Sequence, residues 1–230
     1  MNENTADTLM STDEFYELCE TGTPKQIKAA IEAGADVNAR CKKYRETALM
    51  HAACNNADPG VIVALLEAGA DIEAQDKYGN TALIHATWFN KNPEVAIALL
   101  KGGADVNARQ KTGRTALIAA VHRSNPKLTS VLLEAGADAN ARTQRGETAL
   151  MWAVRCSPRL LADNGEDAKA KDMSALVDGE VNDILKVLGI LLESGADAKL
   201  KDNAGRTVLD YAEKNPELRG TDVLKRLREA

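Results

Sequence analysis

The sequence predicts an all-α solenoid of about six stacked helix pairs, joined by short β-turn fingers. The heptapeptide GADVNAR occurs twice, from Gly34 to Arg40 and from Gly103 to Arg109. Related phrases begin at Gly69, Gly136 and Gly195, so the steps are 35, 34, 33 and 59 residues. A second phrase, TAL, begins at Thr47, Thr81, Thr115 and Thr148, with TVL at Thr207, in steps of 34, 34, 33 and 59. Two phrases sharing one period and one long last step mark a tandem repeat with about 26 inserted residues.

The elements follow in chain order. Ser11 and Glu14 have the spacing of a capping box ahead of FYELC. Thr23-Pro24 opens a second helix running to Ala33, and the pair forms a degenerate first repeat. In each later repeat a threonine (Thr47, Thr81, Thr115, Thr148, Thr207) is placed to cap a short helix. Gly79, Gly113, Gly146 and Gly205, two residues earlier, suit a turn with positive φ. Arg45 holds that place in the first finger, whose loop is one residue longer. Longer helices follow, with Pro59, Pro93 and Pro126 in their first turns behind the caps Asp58, Asn92 and Asn125. Apolar doublets such as Leu65-Leu66 and Leu99-Leu100 end them, and the Gly of GAD supplies the C-terminal turn. One such pair cannot bury its own apolar face, whereas stacked pairs can. The last repeat has a polar short helix (Asp210, Glu213, Lys214), and TDVLKRLREA exposes Lys225, Arg226 and Arg228, as a terminal cap requires.

This pattern resembles the ankyrin repeat, in its TALM/TALI variant. The stretches GNTALIHA, GRTALIAA and GETALMWA stand where that family has G-x-T-P-L-H-x-A. Ala48, Ala82, Ala116 and Ala149 replace its proline, and Met50, Ile84, Ile118 and Met151 its histidine. The expected organisation is a flexible terminus at 1–11 and one repeat domain over 12–230. Its repeats are expected at about 12–44, 45–78, 79–112, 113–145 and 146–204, with a cap at 205–230. The fifth carries an insertion at about 157–181, with turns expected at Asn164-Gly165 and Asp178-Gly179.

Composition narrows the function. The formal charge is −5 and the pI about 5.4, which disfavours general nucleic-acid binding. No apolar run reaches the roughly 18 residues of a membrane span, and the N-terminus lacks a signal-peptide pattern. The four cysteines have no CxxC spacing. A reducing cytoplasm and a monomer are expected, with signal-independent secretion as the alternative. GxxxxGK, GxGxxG and HExxH are absent, so neither cofactor nor catalytic site is expected. His51 and His85 take equivalent places on adjacent short helices, with Cys54 one turn beyond His51. Coincidence is the preferred reading of that pair, and no metal is expected.

The resemblance implies a protein partner bound on a concave face of fingers and short helices. The candidate anchors there are Tyr44, Tyr78, Trp88, Phe89 and Trp152, since buried aromatic rings dominate interfaces. Trp88 and Phe89 are expected to be exposed, while Trp152 either packs between short helices or faces a partner. The candidate cation contacts are Arg109, Lys111, Arg114, Arg123, Arg142, Arg145 and Arg155, with His122 beside them. Only Glu147 opposes them among the finger, short-helix and phrase-closing positions of the fourth and fifth helix pairs, so an acidic protein segment is the expected partner. The alternative is a regulatory or inhibitory subunit that masks an enzyme's site, using the insertion as a second contact.

Overall fold

The computed structural model describes residues 10–155, 177–215 and 218–229, with backbone alone at 177–181. Among the described residues the chain is helical. The described residues form no sheet, only an isolated antiparallel bridge between Arg40 and Thr47. The chain divides into two compact units, Met1–Asp105 and Val106–Ala230.

The first unit holds α1 (Thr12–Thr21), α2 (Pro24–Glu32), α3 (Ala48–Asn55), α4 (Pro59–Glu67), α5 (Ala82–Phe89) and α6 (Pro93–Lys101). Helices α1, α3 and α5 pack side by side, and α2, α4 and α6 form the other layer. Leu49, Met50, Leu83 and Ile84 from the short helices meet Ile27, Ile62, Leu65 and Leu99 from the longer ones in a buried core. The sequence pattern causes this, because apolar residues at a spacing of three to four put a stripe on one face of each helix.

The second unit holds α7 (Ala116–His122), α8 (Pro126–Glu134), α9 (Ala149–Arg155), α10 (Val177–Glu193), α11 (Val208–Ala212) and α12 (Asp222–Glu229). Here α7, α9 and α11 are neighbours in one layer, and α8, α10 and α12 in the other. Leu117, Ile118, Leu150, Met151, Leu132, Val187, Leu188 and Leu191 are buried. Leu224 and Leu227 turn inward on α12, while Lys225, Arg226 and Arg228 stay exposed.

Thr47, Thr81, Thr115, Thr148 and Thr207 each accept the amide N–H three residues on, as the caps were expected to do. Both arms of the Ser11–Glu14 box form. Asp58 and Asn92 each bond the amide two residues on, and Asn125 the amide three residues on. One expectation is corrected. Asp178-Gly179 is not a turn but lies inside α10, which starts at Val177. The apolar positions Ile184, Val187, Leu188 and Leu191 hold that helix against its neighbours, and an internal glycine costs only about 1 kcal/mol. The rest of the insertion, with Asn164-Gly165, lies outside the described residues.

Candidate functional site

The repeated phrases build a ladder that positions the fingers. Asn38, Asn107 and Asn140 each donate from Nδ2 to the carbonyl of the next GAD glycine, Gly69, Gly136 and Gly195. Each Asn Oδ1 accepts the amide of the next GAD aspartate, at 2.8, 2.8 and 2.7 Å. The arginine closing the phrase adds a rung: Arg40 donates to the Gln75 carbonyl, Arg109 to that of Arg142, and Arg142 to that of Lys201. Neighbouring fingers also bond through the backbone, from Lys77 N to Tyr44 O, Gln144 N to Thr112 O and Asn203 N to Arg145 O. Arg109 and Arg142 therefore carry a scaffold role and still bring charge to the finger side.

In the first unit the finger tips bring Tyr44 and Tyr78 together, their ring centroids 6.5 Å apart. The Lys77 ammonium sits 3.9 Å from the Tyr44 centroid and 4.9 Å from that of Tyr78. Tyr78 is 51% exposed and Phe89 57% exposed, so both offer apolar surface. Trp88, expected to be exposed, is half-buried. Successive helical residues are about 100° apart, so Trp88 and Phe89 face different surroundings on α5.

Beside Phe89 lies a cavity of about 310 Å³ lined by Glu20, Glu46, His51, Asp76 and His85 among others. His85 Nε2 is 3.1 Å from Asp76 Oδ2, and the His85 ring is 6.0 Å from that of Phe89. Burial lowers the His85 imidazole pKa, against the opposing pull of Asp76, which favours a neutral ring. His51 stacks on Tyr16 at 4.5 Å, and its Nδ1 is 2.8 Å from Glu20 Oε1.

In the second unit the cations gather around Trp152. The Arg114 guanidinium lies 4.6 Å from the Trp152 ring centre and that of Arg155 5.7 Å, while the His122 ring is 5.5 Å away. Trp152 is half-buried, and its Nε1 is buried without a hydrogen-bond partner. Burial first, then Arg114 and Arg123, lower the His122 pKa. Arg155 is paired with the buried Glu147 and also lies 5.5 Å from the Tyr211 ring centre. Lys111, Arg123 and Arg145 are exposed. A cavity of about 340 Å³ opens among Arg145, Arg155, Arg206, Glu147 and Asp202. Asp202 is held by Tyr211 Oη at 2.5 Å and by the Arg206 guanidinium at 2.9 Å.

The structure thus joins Tyr44 with Tyr78, and Arg114, His122, Trp152 and Arg155 with one another. The profile of the ankyrin repeats, in three copies, matches residues 15–110 and 88–172. The chain belongs to the ankyrin repeat family. The ankyrin repeat domain of Bcl-3, described as a unique member of the IkappaB protein family, is a similar solved structure. It is 27% identical with a TM-score of 0.70, and the alignment covers 92% of this chain and 81% of that one. No curated protein matches the chain. The ankyrin fold is typically a non-enzymatic interaction module, and these matches support a protein–protein interaction module here.

Two groups in this ankyrin chain were not singled out from sequence as clusters. Asp202, Arg206 and Tyr211 form one, and Glu20, Glu46 and Asp76 around the two histidines form the other. The signal available was register: Asp76 and Asp202 both stand five residues before a capping threonine, and His85 and Tyr211 four residues after it.

Proposed function

We propose that the finger and short-helix surface of the second unit docks an acidic segment of a partner protein. The observation that carries this reading is the approach of Arg114 and Arg155 to Trp152, with exposed Lys111, Arg123 and Arg145 on the neighbouring fingers and short helix. Only Glu147 opposes these cations in those fingers and short helices, and Arg155 already pairs with it. Arg109 and Arg142 bond neutral carbonyls, so their charge is not cancelled there. A flat ring with two guanidinium groups beside it offers apolar area and cations together, which suits a peptide mixing aromatic or apolar residues with Asp and Glu. Tyr44, Tyr78 and Phe89 offer a second, more apolar contact on the first unit. The free thiols Cys19, Cys41 and Cys54 suit a reducing compartment.

The test is capture of partners on the immobilised full chain at low and high salt, then with the charge-reversed pair Arg123→Glu and Arg145→Glu. Capture should weaken steeply with salt and fall at least tenfold in the reversed variant, with unchanged circular dichroism. Capture indifferent to both would remove the electrostatic proposal.

A further inference from the structure

We propose that the cavity between α1, α3 and α5 is a divalent transition-metal site, with Glu46, Asp76, His85 and His51 as ligands. Glu46, Asp76 and His85 each present one donor atom, and these lie within 4.8 Å of one another. His85 Nε2 and Asp76 Oδ2 are 3.1 Å apart. His51 Nε2 faces Glu46 Oε2 at 3.6 Å. Donors around a tetrahedral zinc stand about 3.4 Å apart, given bonds of about 2.0–2.1 Å. The two measured pairs bracket that spacing; Glu46, Asp76 and His85 form the compact set, and His51, which meets it only through Glu46, must swing toward Asp76 and His85 to become the fourth ligand.

The orphaned atom points the same way. His51 Nε2 is buried and has no hydrogen-bond partner. Its other nitrogen, Nδ1, sits 2.8 Å from Glu20 Oε1. When Nδ1–H donates to Glu20, the Nε2 lone pair is turned toward the Glu46 carboxylate, a repulsion that either a proton on Nε2 or a bound cation relieves. A carboxylate behind a histidine is also how metal-bound imidazoles are oriented. Asp76 is fixed independently, since its Oδ1 accepts the amides of Tyr78 and Asn80 at 2.7 and 2.8 Å. Three carboxylates line this cavity, and neither Lys nor Arg does.

The second unit supplies an internal comparison. Asp202 and Tyr211 occupy the register of Asp76 and His85, and there the carboxylate is satisfied by the Tyr211 hydroxyl and Arg206. The first unit puts imidazole where the second has phenol, and neutral Asn80, which donates to Asp76 Oδ2 at 2.9 Å, where the second has the Arg206 cation. Mixed imidazole and carboxylate donors suit zinc, or cobalt as its spectroscopic substitute. The bound ion would cross-link two successive helix pairs, with Glu20 of the first pair behind His51.

The experiment uses the full, tag-free chain, stripped with a chelator and titrated with Zn²⁺ by calorimetry and with Co²⁺ by visible absorption. A single saturable site is expected, with the intense bands of four-coordinate cobalt and a melting temperature that rises with zinc concentration. Glu20→Gln should weaken zinc binding roughly 10–100-fold without removing a ligand. Glu46→Gln and His51→Ala should each weaken it more. His85 is buried, so the test rests on the half-buried Glu46 and His51, each variant first shown to keep the metal-free circular dichroism of the wild type. The absence of saturable uptake, or uptake unchanged in both Glu46→Gln and His51→Ala, would overturn the assignment.

Discussion

At the scale of single residues, two side chains show where strain and charge are stored. Arg45 and Ser124 are the non-glycine residues with positive φ among those described, at 61° and 48°. Arg45 stands where the other fingers have glycine, and a left-handed non-glycine residue costs about 1–2 kcal/mol. Its side chain is exposed. Arg45→Gly should therefore raise stability by about 1 kcal/mol, after glycine's own entropic cost, read from the urea midpoint. A lower midpoint would show that Arg45 makes a contact worth more than the strain. Asp202 is the electrostatic counterpart. Burial alone would raise its carboxyl pKa, but hydrogen bonds from Tyr211, Arg206 and the Ala204 amide hold it well below the ordinary value. A depressed folded pKa gives stability that is complete above the unfolded value of about 3.9 and is lost as pH falls below it. Between about pH 6 and about pH 3 the wild type should lose more stability than Asp202→Asn, and at the higher pH the variant should be the weaker protein. Parallel losses on acidification would exclude Asp202 as the responsible carboxylate.

At the scale of elements, the ladder explains why the phrase GADVNA recurs. An asparagine amide both donates and accepts, so one side chain satisfies a carbonyl and an amide of the next hairpin. Glu73 stands in the asparagine position of its phrase, and its Oε1 accepts the Asp105 amide at 2.8 Å. A carboxylate has no proton to offer the Gly103 carbonyl, so this rung has lost its donor. Glu73→Asn should restore it and stabilise the chain by about 1 kcal/mol in urea unfolding. No gain would mean that the Gly103 carbonyl is already satisfied. The helices themselves were legible because their signals are local: a capping threonine, a proline at the first turn, a glycine at the end. The start of α10 was not, because Asp178-Gly179 has the wording of a turn and only packing against neighbours makes it helical.

For the whole molecule, the fold could be read because a repeat states each rule several times, so one departure such as Arg45 does not hide it. The clusters could not, because they are made through space. Glu20 and His51 are 31 residues apart, and Arg142 reaches a carbonyl 59 residues away across the inserted segment. Charge is sorted in the same way: Glu32, Glu67, Glu94, Glu134 and Glu193 are exposed on the longer helices, whereas cations crowd the fingers around Trp152. The placement of the two tryptophans has a practical result. Trp88 belongs to the first unit and Trp152 to the second, and the chain has no third. Each unit is thus born with one intrinsic fluorophore, and replacing either indole by phenylalanine would let emission follow the melting of the other unit alone.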